Sequence, residues 1–382
     1  MQRSANDCFL TAMTNAREPS TAARELAEAL RHPRLGFVLF FCSVEYPLAD
    51  LAEALQTAFC DVTVIGCTSA GEIGVKGYGR GCISAIGFST EAFAVDCTLI
   101  QALDNFTLVD AQESVGKMLA TCRQVNLAPI KDRTFALTLL DGLSSREEIV
   151  LSTLSIAMGS IPHFGGSAGD DNHLSHTHVY YQGAFHTGAA VVVMFNTWLD
   201  FEVFTTHHMQ PLEEKLVVTA ADSETRTVFE LNAEPAAREY ARMVGVSVEQ
   251  LKLSTFALNA LAVRIRDQFY VRSIQRVNPD LSLTFYCAVD TGIVLTPMLP
   301  GPLLPDLRLQ LHKLRQRLGR PVLIIGCDCF LRRMEAELRG EDQLLSDFLA
   351  LSNVVGFNTY GEQYNGMHIN QTFTGVAFAL PD

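Results

Sequence analysis

Three short stretches of this chain carry residue types that do chemistry: GCTSAGEIG, FGGSAGDD and VVGFNTYGEQ, beginning at Gly66, Phe164 and Val354. Each sets a hydroxyl just before a glycine and a carboxylate: Ser69, Gly71 and Glu72; Ser167, Gly169 and Asp170; Thr359, Gly361 and Glu362. One reading is a shared polar ligand pocket built by Ser69, Glu72, Ser167, Asp170, Thr359 and Glu362. The other is turn chemistry alone, with glycine supplying positive φ and hydroxyls and carboxylates bonding nearby amides. A phosphate cradle is disfavoured: the loops hold no lysine and no GxxxxGK[ST], and an acid sits where an anion would bind.

Gly165-Gly166-Ser167-Ala168-Gly169 also satisfies G-x-S-x-G, the nucleophile-elbow pattern. That elbow needs a helix directly after it. Here the next residues, DDNHLSHTHVYYQG, read as a polar loop and then a strand. Cys67 has no positioned histidine in view. A hydrolase using Ser167 or Cys67 stands only as the contrasting alternative. His173, His176 and His178, beside Asp170 and Asp171, offer metal-ligand types, and His176 and His178 would share one face of a strand. They lack HExxH or standard zinc spacing. Cys327-x-Cys329 has no second cysteine pair and reads as two buried thiols.

The elements that would position these residues recur with them. GFVLFFCS, TFALTLLDG and PVLIIGCD are continuous apolar runs, the mark of strands covered on both faces. Helical segments follow: PLADLAEALQTAF, SREEIVLSTLSIAM, and FLRRMEAEL with DQLLSDFLAL. Phe37 to Gly71 and Phe135 to Gly169 each span 34 positions, and Val322 to Gly361 spans 39. After each loop comes another apolar strand, CISAIGF, AAVVVMF or TFTGVAFAL. The expectation is an α/β protein, with α+β elements in its C-terminal half, built on recurring strand-helix-strand units ending in Gly-acid loops. Between the second and third units, RIRDQFYVRSIQRVNPDLSLTFYCAVDTGIVLTPM alternates with period two and predicts antiparallel sheet. The expected layout is an N-terminal segment over 1–30, a first domain with two unit copies over 31–221, and a second over 222–382 with the antiparallel sheet and the third copy.

A net charge of −13 argues against a nucleic-acid surface. No apolar stretch approaches the ~18 residues of a membrane-spanning helix, and the N-terminus lacks a signal-peptide core. Ten cysteines sit mostly in apolar runs, which fits reduced thiols in a cytoplasmic protein better than a disulfide framework.

With GCTSAGEI, GGSAGDD, VTAADSETRTVFELNAEPAAREY, IIGCDCFLRRME and GFNTYGEQ in this order, the chain resembles FIST-domain proteins, with both N-terminal and C-terminal FIST domains. The resemblance implies a non-enzymatic sensor of the bacterial cytoplasm. It extends to the nitric-oxide-sensing haem proteins of the NosP type, which implies haem as cofactor and nitric oxide as signal. The implied partner is a histidine kinase or a cyclic-di-GMP enzyme, with a homodimer as a further option. Where the family commonly has a glycine-containing turn before the VT strand, this chain reads Thr206-His207-His208-Met209-Gln210-Pro211. His207, His208 and Met209 are therefore the haem-ligand candidates, with His178 second. The alternative within the sensor class is a small polar metabolite, amino-acid-like, held by the Gly-acid loops.

Overall fold

The computed structural model describes residues 4–171 and 173–381. The expected α/β architecture is present, and the repeat is threefold. The first unit runs through strand Phe9–Thr14, helix Pro19–Ala29, strand Leu35–Ser43, helix Leu48–Ala58, strand Thr63–Ser69, a short hairpin and strand Ile83–Ser89. The second repeats this order from Phe93–Ile100 to Ala190–Thr197, and the third from Asp200–Thr206 to Phe373–Ala379. The N-terminal segment expected over 1–30 is thus not separate from the first unit. Phe9–Thr14 pairs antiparallel with Ile83–Ser89, and Ala22, Ala23 and Leu26 are buried; residues 1–3 lie outside the described residues.

In every unit the second strand (Leu35–Ser43 in the first) pairs in parallel with the third (Thr63–Ser69), and the last strand pairs antiparallel with the second on its other side. The inner faces of all three sheets meet in one aromatic core. Phe41 stacks on Phe357 at 4.4 Å and Phe135 on Phe195 at 4.9 Å between ring centroids. The outer faces lie under the helices, with Leu51 and Leu55 in the first unit, Leu151 and Leu154 in the second, and Leu345 and Leu349 in the third. Burial on both faces is why these strands read as unbroken apolar runs.

The hairpins are exchanged in a ring. Glu72–Gly74 with Gly77–Gly79 extends the third sheet at strand Val354–Thr359. Val179–Tyr181 with Ala184–His186 extends the first sheet at Thr63–Ser69. Glu362–Tyr364 with Met367–Ile369 extends the second at His163–Ser167. Each hairpin covers a strand edge of another unit that would otherwise face solvent.

The antiparallel sheet is inserted in the third unit, between strand Asp200–Thr206 and helix Leu303–Leu318. The boundary expected at 222 falls at the end of its strand Leu216–Asp222. Leu216, Val228, Tyr240, Phe256, Leu283 and Phe285 give this insertion a core of its own.

Candidate functional site

The three Gly-acid loops meet, as the repeat implies, and they close on one another. Ala70 N donates to Asn358 O, Ser167 N to Gly361 O, and Gly169 N to Thr68 O. Ser69, Glu72, Ser167, Asp170, Thr359 and Glu362 are all buried. Gly71, at φ 134°, has no room for a Cβ beside Arg333 Nη1. Glu72 and Glu362 serve as internal braces. Glu72 accepts from Ser69 Oγ at 2.5 Å and from Cys82 Sγ at 3.0 Å. Glu362 accepts from Thr359 Oγ1, and from Thr372 N and Oγ1, both at 3.0 Å. Each ties its own loop to the start of the strand that comes after it.

Asp170 does a different job. Its carboxylate accepts from the amides of Leu174, Ser175 and His176 at 2.9, 2.7 and 2.9 Å, and from Tyr360 Oη. The second loop therefore carries an insertion between its acid and its hairpin that the other two lack. The six residues expected to line a pocket form a buried knot in this structure, and its hydrogen bonds are those of turns.

Burial raises the Glu362 carboxyl to about 8. The native state then holds a proton that the unfolded chain has released, so stability falls as pH rises from the unfolded value near 4.5 to about 8 and levels off above it. Glu362→Gln keeps the shape, and its Nε2 can face Thr359 while its oxygen faces Thr372. The expected outcome is that unfolding midpoints measured from pH 5 to 9 lose most of their decline between pH 5 and 8 in the variant.

The haem-ligand candidates are differently placed. His208 is buried with both ring nitrogens in use. Nδ1 accepts from Arg332 Nη1 at 2.9 Å, so the proton is on Nε2, which lies 2.8 Å from Glu335 Oε2. Burial lowers its pKa, against the pull of Glu335. Met209 packs among Ala260, Ala262, Val271 and Met298. Neither fits a haem iron in this structure, because the first has no free nitrogen and the second no open side. His207 and His178 each keep a buried Nδ1 without a partner, and burial lowers both pKa values. A cleft of about 730 Å³ between the first two helices holds no histidine, cysteine, methionine or tyrosine in its lining.

The hydrolase residues are also internal. Ser167 Oγ donates to Glu147 at 3.5 Å, and burial pushes the Cys67 thiol well up, the wrong direction for a nucleophile. His173 and His176 are exposed, and Cys327 and Cys329 are buried thiols.

A cavity does open where the second unit meets the inserted sheet. It measures about 350 Å³ and is lined by Gly142, Leu143 and Ser145, by Leu174 and Ser175, and by the insertion's Arg226, Arg276 and Tyr286 among others. Gly142–Ser145 directly follows the parallel strand Thr134–Leu140, the end of an α/β sheet where ligands usually bind. Leu174 and Ser175 are on the turn that Asp170 caps, so the second Gly-acid loop shapes the cavity from behind.

Arg226 ties the two sides together. Its Nη2 donates to Glu147 Oε2 and Glu148 Oε2, both at 2.5 Å, and its Nη1 to Tyr286 O at 2.6 Å. The two acids open helix Glu147–Met158, where the helix dipole favours them. Arg226 Nε and Tyr286 Oη are buried without partners. Sequence reasoning missed both residues. Arg226 sits in the turn ADSETRT, and the only signal was an arginine just before the apolar strand Thr227–Leu231.

No helix among the described residues is long and apolar enough to cross a membrane. Compared with known families, residues 36–234 match the FIST N domain and residues 236–365 the FIST C domain. No curated protein matches the chain. With matches to both domains, from residue 36 to residue 365, the chain belongs to the FIST family of signal-transduction sensor domains.

Proposed function

We propose that this chain senses a small zwitterionic metabolite, amino-acid-like, in the cavity between its second unit and its inserted sheet, and passes the bound state to a partner signalling protein. The observation that carries this is the 350 Å³ polar cavity, with two guanidinium groups and an unpartnered Tyr286 Oη at its wall. Its volume suits a small metabolite. Arg276 is exposed and, among the described residues, its guanidinium uses only Nε internally, toward Asn278 Oδ1 at 3.2 Å, so its fork is available to a carboxylate. Glu147 and Glu148 supply negative charge behind Arg226, which suits a ligand bearing an amine as well. Binding on both sides of a domain junction alters how the two sides pack, and a histidine kinase or cyclic-di-GMP enzyme is the class of partner that would read the change.

Melting curves with each proteinogenic amino acid test this reading. An amino acid present at a hundred times its Kd stabilises by about 2.7 kcal/mol, a rise of several degrees. No shift with any amino acid would remove the proposal.

A second reading, haem binding and nitric-oxide sensing, is favoured by the unpartnered Nδ1 atoms of His207 and His178. Haemin added to purified protein should then give a Soret band that shifts with nitric oxide and is lost in His207→Ala. Protein that stays colourless ends that reading.

A further inference from the structure

Behind the cavity wall, three side chains of metal-ligand type converge from three separate parts of the chain. A carboxylate oxygen of Glu148, Sγ of Cys287 and a ring nitrogen of His368 lie within 4.8 Å of one another. His368 Nδ1 is 3.2 Å from Glu148 Oε1. Tetrahedral zinc bonds of about 2.0–2.3 Å place neighbouring donor atoms roughly 3.3–3.8 Å apart, so small side-chain movements would close the set around an ion.

The hydrogen bonds present do not complete this cluster. Cys287 Sγ donates to Asn370 Oδ1 at 3.0 Å, and Glu148 Oε1 accepts from Ala288 N at 2.7 Å. His368 Nε2, in a side chain only 1% exposed, has no partner. Ser273 Oγ, whose own amide bonds Asn370 Oδ1, and Tyr286 Oη, on the residue before Cys287, are likewise unpartnered. Glu148 is the one member that reaches solvent, with its side chain 31% exposed, so an ion has an entry side.

We propose that Glu148, Cys287 and His368 form a zinc-class transition-metal site that joins the second unit, the inserted sheet and the third unit's exchanged hairpin. Thiolate, imidazole and carboxylate are the donor set that selects zinc over magnesium or calcium. Three protein ligands leave a fourth position open. The charge balances. The bound dication takes the place of the thiol proton of Cys287 and a proton on His368, both released to solvent, while Arg226 continues to neutralise Glu147 and the other oxygen of Glu148. The ion would hold the floor of the cavity by adding a metal link to elements that otherwise meet through the Arg226 ion pairs, hydrogen bonds and packing. The site stands or falls independently of the amino-acid reading.

The test uses the full chain, stripped of metal with a chelator and titrated with cobalt(II) and then zinc, with no amino acid present. Cobalt bound here gives a thiolate-to-cobalt charge-transfer band in the near ultraviolet and tetrahedral d–d bands in the visible, saturating at one equivalent and bleached by zinc. Cys287→Ser should abolish the charge-transfer band and weaken zinc binding more than 100-fold, while Cys60→Ser, at an exposed cysteine, leaves both unchanged. Wild-type protein that gives no charge-transfer band overturns the proposal without recourse to any variant. So does a band that persists in folded Cys287→Ser.

Discussion

Replacing Arg226 with alanine is expected to cost about 3–5 kcal/mol and to loosen the inserted sheet from the second unit. The guanidinium serves Glu147, Glu148 and the carbonyl of Tyr286 at once, and its side chain is 6% exposed. Without it Glu147, 1% exposed, is left as an acid with no cation, which is the expensive way to break a buried pair. Arg226→Lys should recover only part of the loss, since one ammonium cannot reproduce the planar fork. Urea unfolding would show the effect as an earlier first transition, with limited proteolysis cutting the insertion before the threefold core. A single transition at the wild-type midpoint would mean that the junction is not held by this residue.

A similar loss is expected from Arg332→Met, at the other end of the insertion. Arg332 is buried, donates from Nε to Asp328 Oδ1 at 2.8 Å and from Nη1 to His208. Tyr78 Oη, from the first unit's exchanged hairpin, donates to Asp328 at 2.6 Å, so one chain of contacts crosses from the first unit to the start of the insertion. Removing the cation strands the Asp328 carboxylate in a dry interior, at a cost of about 3–5 kcal/mol. Adding Asp328→Asn to Arg332→Met should return part of that loss, with a coupling of about 0.5–3 kcal/mol in a double-mutant cycle of unfolding free energies. Strict additivity would show that the two charges do not depend on each other.

The repeat was legible in the sequence because burial on both faces writes a continuous apolar run, and because Gly71 and Gly169 stand 34 positions, and Gly361 39, beyond Phe37, Phe135 and Val322 near the start of theirs. The antiparallel insertion was legible from its period-two alternation. The ring exchange of hairpins was not, since a strand such as Glu72–Gly74 reads the same whichever sheet it joins. Glu72 and Glu362 misled for a related reason. A carboxylate beside a glycine looks the same whether it faces a ligand or braces Thr372 from inside, and only the ten-residue reach to the next strand separates the two. His208 drew interest as an unusual residue in a turn, but its neighbours Arg332 and Glu335 come from a helix far along the chain. The junction cavity was out of sight for the same reason: Gly142, Ser175, Arg226 and Arg276 meet only once the insertion folds back on the second unit.

Isothermal titration of the amino acid that most raises the melting temperature, into wild type and into Arg276→Ala, tests the central claim most directly. Arg276 is exposed, and among the described residues its side chain bonds only to Asn278, through Nε, so its loss should leave the fold intact. Loss of a charged hydrogen bond of about 1.5–3 kcal/mol predicts a Kd at least tenfold weaker in the variant. Equal affinity in the two proteins would contradict the account and move the ligand away from this cavity.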